Sequence, residues 1–232
     1  MKVTMKTTVM LGIGKMGFET RPIPQPKDDE VLVKLEYVGI CGSDMHYYET
    51  GAIGNYIVKP PFVLGHEPGG VVTEVGKNVK HLKDGDREKH VDIVNSAAKE
   101  NTTYVQMSLF FATPPVDGVF QEYVAHEAGL CFKLPENVST LEGALIEPLA
   151  VGFHAANQGD AHVGQTAVVF GAGSIGLCSL LALISHGVTN VILVDVMQKR
   201  LDKALELGAS HVINSSKEDP RINRWNGSRS CN

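Results

Sequence analysis

Apolar residues fall into short blocks broken by glycine, proline and charge, and block length separates strands from helices. Val9-Met10-Leu11 ends at Gly12-Ile13-Gly14, and residues 21–26 carry Pro22, Pro24 and Pro26, which forbid a helix by fixing φ and removing donors. Residues 31–38 (VLVKLEYV) and 70–75 (GVVTEV) read as strands, the second stopped by Gly76. After a turn at Pro114-Pro115, residues 119–124 and 130–135 read as two more, with Cys131 at a core position. A helix is expected from Ser139 through Glu147, followed by a crossing at residues 147–152.

The pattern then changes. Residues 166–170 (TAVVF) are almost continuously apolar, as suits a parallel strand covered on both faces. A glycine-rich turn, an apolar helical stretch at 177–184, a second strand at 191–194, an amphipathic helix at 198–207 and a short strand at 211–214 follow. The expected fold class is α/β with a β-rich domain: a small β-domain over residues 1–150, then a partial dinucleotide-binding domain over 151–232.

Composition narrows the function classes. The chain has 232 residues, 43% hydrophobic, with a net charge of −5. That leaves no basic face for nucleic acid and no polybasic membrane patch. No apolar run is long enough to span a bilayer, and the N-terminus lacks the apolar core of a signal peptide. Cysteines 41, 131, 178 and 231 show no disulfide-like clustering, which fits a reducing compartment; a cytoplasmic location is expected.

Two stretches carry candidate chemistry. In the first, Cys41 offers a thiolate, His66 an imidazole and Glu67 a carboxylate, the ligand types zinc accepts, with Gly39, Gly42, Gly65, Gly69 and Gly70 beside them. In the second, Gly171-Ala172-Gly173-Ser174-Ile175-Gly176 lies between a strand and a helix, and Asp195 ends the next strand. That context is a dinucleotide fingerprint. Gly171 makes the turn, Gly173 admits the pyrophosphate, Gly176 packs helix on strand, and the amides of Ser174 and Ile175 open the helix N-terminus. Asp195 favours NAD over NADP, because its charge repels a 2′-phosphate.

Read together, the string from Gly39 to Gly70 and the segments 8–86 and 110–215 resemble the medium-chain zinc-dependent alcohol dehydrogenases, within them the polyol (sorbitol, xylitol, iditol) branch. The resemblance implies a GroES-like catalytic domain followed by a Rossmann domain, one catalytic zinc, and NAD-dependent oxidation of a polyol to a ketose. It implies Cys41 and His66 as zinc ligands and Glu67 as the third. Glu147, in Glu-Pro-Leu-Ala-Val, either binds the metal directly or holds its water. Ser43 is implied on the proton relay and Tyr47 on the substrate side, with Tyr48 as the alternative; His46 is structural or lies on the relay. Arg200 falls at the adenosine-side position, where it could instead suggest NADP. Full-length relatives are implied to be homo-oligomers, with no nucleic-acid or membrane partner.

Three expectations qualify that reading. A threonine or other secondary-alcohol dehydrogenase shares the same core residues. A truncated, inactive remnant is the other alternative, since the sequence stops after three nucleotide-sheet strands, and little dehydrogenase activity is expected of it. Residues 88–109 are irregular and hold no cysteine, where the family often carries a C-x-x-C-x-x-C-x7-C structural-zinc lobe. Permitted codons read one frame over from His90 restore those cysteines. The segment is therefore expected to be an out-of-frame lobe, mobile and metal-free; a lineage that replaced the lobe with a polar loop is the alternative.

Overall fold

The computed structural model describes residues 3–82, 90–93 and 110–217. The chain divides into two compact units, Met1–Glu147 and Pro148–Asn232.

In the first unit, β1 (Thr4–Gly12) and β2 (Lys15–Pro22) form an antiparallel hairpin. β3 (Glu30–Gly39) leads into the helix α1 (Gly42–Thr50), and a two-residue hairpin follows, β4 (Ala52–Ile53) with β5 (Tyr56–Ile57). Next come β6 (Glu67–Val75), β7 (His90–Ile93), β8 (Tyr123–Glu127), a 3-10 turn at Ala128–Leu130 and β9 (Cys131–Lys133). Five of these strands form one sheet in the order β8-β3-β6-β7-β9. Val31, Val33, Val72, Val119, Val124 and Cys131 are buried together against it, so Cys131 is packing. The short helix α2 (Thr140–Ala144) is capped by Ser139, whose hydroxyl accepts from Glu142 N–H while the Glu142 carboxylate reaches back to Ser139 N–H.

The helix α3 (Ile146–Gln158) contains the boundary between the units. In the second unit β10 (Thr166–Phe170), α4 (Ser174–Ser185), β11 (Asn190–Asp195), α5 (Gln198–Glu206) and β12 (His211–Asn214) alternate. The three strands are parallel in the order β10-β11-β12. Leu180, Leu183, Val191, Leu193 and Leu201 make the core, but β10, expected to be covered on both faces, is covered on one: Ala167 and Val169 pack against this core while Val168 and Phe170 are exposed.

Several elements differ from the sequence expectation. The tyrosine-bearing stretch after Cys41, to which the apolar pattern assigns no element, is the helix α1. GSDMHYYET has no apolar stripe, and its helix is set by its ends. Asp44 takes Cys41 N–H at 2.9 Å at the start, and left-handed Gly51 (φ 78) stops it. The expected helix through Glu147 breaks at Leu145, and residues 147–152 continue as α3. Residues 88–109 are not wholly irregular: His90–Ile93 pair with β6 and β9 inside the sheet. The rest of that segment lies outside the described residues, and so does the expectation of a mobile lobe.

His126 is half-buried on β8 against the Phe111 ring at 4.5 Å, and among the described residues its buried Nε2 has no hydrogen-bond partner. Burial lowers its pKa from 6.5 to about 4, although Glu30 opposes the shift. A histidine held neutral in the fold takes its proton more readily in the unfolded chain. The stabilisation is therefore complete above pH 6.5 and lost as pH falls towards 4, up to about 3 kcal/mol. Urea unfolding at pH 7.5 and 5.0 checks this: His126→Leu should lose less stability over that interval than the parent chain. Equal losses would contradict it.

Candidate metal centre and dinucleotide loop

One sheet register assembles the first site. β3 and β6 pair so that Gly39, the last residue of one, faces Glu67, the first of the other. Cys41 lies two residues beyond that rung and His66 one residue before it, so both arrive at the same end of the sheet. The Cys41 sulfur, a His66 ring nitrogen and a Glu67 carboxylate oxygen all lie within 4.8 Å of one another. Gly39 is the steric condition for this: a Cβ there would sit 1.9 Å from Glu67 Oε2. Gly65, at φ +90, turns the chain into His66, and a Cβ on it would strike the Phe120 ring at 2.4 Å.

Asp44 ties the two ligand segments together and was not singled out from the sequence. Its side chain is 3% exposed. Oδ2 accepts from Cys41 N–H at 2.9 Å, and Oδ1 accepts from Gly65 N–H at 2.8 Å. His66 Nδ1 stands 3.6 Å from Oδ1, so the carboxylate also orients the ring. The spacing of an acidic residue three places after Cys41, a helix-capping signature, was the available signal.

The electrostatics agree with a ligand set. The neighbouring His66 lowers the Cys41 thiol, and burial opposes it only in part, with the Ser43 hydroxyl and amide adding to the lowering. Burial pushes His66 down, but Asp44 and Cys41 outweigh it and raise the imidazolium to about 10. Burial raises both Glu67 and Glu147. A thiol held below its ordinary pKa, a ring nitrogen and a buried carboxylate side by side are groups that a divalent cation would take up with release of their protons. One sulfur, one nitrogen and one oxygen fit zinc with a position left open.

Glu147, in the first turn of α3, is outside this triad but close enough for its charge to couple with His66, Glu67 and Asp44. Tyr47 is buried with Met10, Val58, Phe62 and Leu64. Tyr48 donates its hydroxyl to Gly14 O at 2.9 Å, and His46 is exposed on α1.

In the second unit, β10 runs into Gly171 at φ 93, and Gly173 caps α4. A Cβ on Gly176 would lie 1.8 Å from Gly171 O, so helix and turn pack only through glycine. A Cβ on Gly173 would meet nothing within 4 Å: the loop faces open space, beside the free amides of Ser174 and Ile175. Asp195 ends β11, and Arg200 Nη1 is 3.7 Å from its Oδ2. These residues fit a dinucleotide.

A metal-ligand triad on a GroES-type sheet, followed by a parallel βαβ unit with a glycine-rich turn, defines a zinc- and nucleotide-type dehydrogenase architecture. The alcohol dehydrogenase GroES-like domain matches residues 27–136. Human sorbitol dehydrogenase is 48% identical over 221 residues, covering 92% of this chain and 61% of the relative. Among solved structures, L-idonate 5-dehydrogenase from Escherichia coli superposes with a TM-score of 0.86 at 29% identity, covering 98% of this chain and 67% of that one. 2R,3R-butanediol dehydrogenase from Bacillus subtilis gives 0.80 at 32% identity, covering 94% and 66%. Over most of its length the chain is similar to zinc-dependent polyol and alcohol dehydrogenases. It spans 61% of the length of the sorbitol dehydrogenases it matches.

Proposed function

We propose that this chain carries the zinc-ligand and NAD-binding residues of a polyol dehydrogenase, which oxidises a sorbitol- or xylitol-like substrate to the ketose. The observation that carries this reading is the convergence of Cys41, His66 and Glu67 at one sheet end. The 48% identity to human sorbitol dehydrogenase supports the polyol class. When bound, zinc supplies Lewis acidity towards an alcohol oxygen and NAD supplies the hydride acceptor.

The chain's own residues do the rest. Cys41, His66 and Glu67 hold the metal, and Asp44 keeps His66 in one orientation. Glu147 stands outside the triad as a carboxylate that burial keeps easily protonated, suited to holding a water or a hydroxyl rather than a metal. The Ser43 hydroxyl, beside the Cys41 sulfur, would act as a relay, accepting the substrate's hydroxyl proton as it passes its own proton on to solvent. Tyr47 shapes the substrate side. The loop at 171–176 holds the pyrophosphate, and Asp195 selects NAD by repelling a 2′-phosphate. The cysteine usage supports a cytoplasmic location; among the described residues no helix is long and apolar enough to cross a membrane.

β10 pairs with β11 alone among the described residues, and Val168 and Phe170 on it are 50% and 82% exposed. A strand paired on one side only, with an exposed apolar face, invites association in solution. Substrate preference is therefore the test, more than rate. The zinc-loaded chain with NAD should form NADH from sorbitol or xylitol faster than from threonine or a simple secondary alcohol, and a chelator should stop it. Preference for threonine, or no turnover of the whole panel, would contradict the proposal.

A further inference from the structure

Asp195 does more in this structure than await a ribose. The parallel ladder between β10 and β11 has its last rung at Phe170 and Val194. One residue on, Gly171 N–H still finds a main-chain acceptor, Val194 O at 2.7 Å. Ala172 N–H finds none on the backbone. It donates to Asp195 Oδ2 at 2.8 Å, in a buried contact, while Asp195 Oδ1 accepts from Met197 N–H at 2.7 Å. Ala172 is 1% exposed and Asp195 7%. Without the carboxylate, the Ala172 amide would be buried and unpaired, a state proteins avoid.

We propose that Asp195 is a positioning residue for the phosphate-binding loop: its side chain replaces a missing backbone carbonyl, extends the ladder by one rung, and so sets the path of residues 172–174. This rests on the dinucleotide reading of the second unit. An ionised carboxylate has about four acceptor sites; Ala172 and Met197 take two, and the Val196 amide and Arg200 also lie against it, so little capacity is left for ribose hydroxyls. The two roles are separable. Affinity for the diphosphate depends on Asp195 even when no ribose hydroxyl is present. A substitution meant to admit a 2′-phosphate thus weakens NAD and NADP together instead of exchanging one for the other.

The experiment uses the full 232-residue chain. Amide hydrogen exchange without ligand reads the strut in the parent chain itself: Ala172 should be protected like Gly171, and Gly173 should exchange much faster. Asp195→Ala, which leaves no side-chain acceptor, should release Ala172 by at least tenfold and leave Gly171 nearly unchanged. ADP and 2′,3′-dideoxy-ADP are then titrated into both chains. Asp195→Ala should weaken both nucleotides by at least tenfold. Weakened ADP with unchanged dideoxy-ADP, or a parent Ala172 amide exchanging as fast as Gly173, overturns the proposal. A parent chain that binds neither nucleotide overturns the dinucleotide reading beneath it, and the Ala172 exchange still decides the strut. Should the variant not fold, the parent-chain protection pattern decides alone.

Discussion

His66→Ala and Cys41→Ser are each expected to purify without tightly bound zinc, where the parent chain holds one ion. The triad supplies only three ligand atoms, so losing one leaves two, too few to hold zinc against water. Loss of an outer partner alone costs about 10–100-fold in metal affinity, and loss of a ligand should exceed the upper figure. Both side chains lie at the sheet end outside the valine core, so the fold should survive either change. Metal analysis after dialysis against a weak chelator reads the result. Variants that keep a full equivalent of zinc would place the metal elsewhere. A second tightly bound zinc in the parent chain would likewise show a site beyond this triad.

Gly39→Ala should have nearly as large an effect, although Gly39 offers no ligand atom. It faces Glu67 directly across the sheet, and the new methyl group would overlap the Glu67 carboxylate at 1.9 Å. Glu67 must swing away or the β3–β6 rung must open. Glu67 is the flexible partner, so the carboxylate should leave while the sheet stays. Zinc affinity is then expected to fall about 10–100-fold, as for lost support of a ligand, with little change in the far-ultraviolet circular dichroism. Competition against a fluorescent zinc chelator measures it. Unchanged affinity would mean that Glu67 is not a ligand and would favour Glu147.

How much of this could be read beforehand depended on whether a feature was local. Strand–turn–helix order around Gly171 is encoded within a few residues, and TAVVF, the glycines and Asp195 stood out in the sequence. The three ligand types near Cys41 and His66 were also visible. Their meeting was not, because it depends on the Gly39–Glu67 rung, and register between strands separated by a helix and a hairpin leaves no local pattern. Asp44 and α1 were missed for a related reason. A polar helix without an apolar stripe is held by caps and by a long-range bond to Gly65, which periodicity does not report. The strut from Asp195 to Ala172 was hidden behind a familiar role for the same aspartate. His90–Ile93 reads as strand only because β6 and β9 flank it.

The central claim is that Cys41, His66 and Glu67 form a single zinc site with one sulfur ligand. X-ray absorption at the zinc edge on the metal-loaded chain tests it most directly. One sulfur at about 2.3 Å, with the remaining shell of nitrogen and oxygen at about 2.0–2.2 Å, is the predicted result. A shell without sulfur, or one with two or more sulfurs, would contradict it.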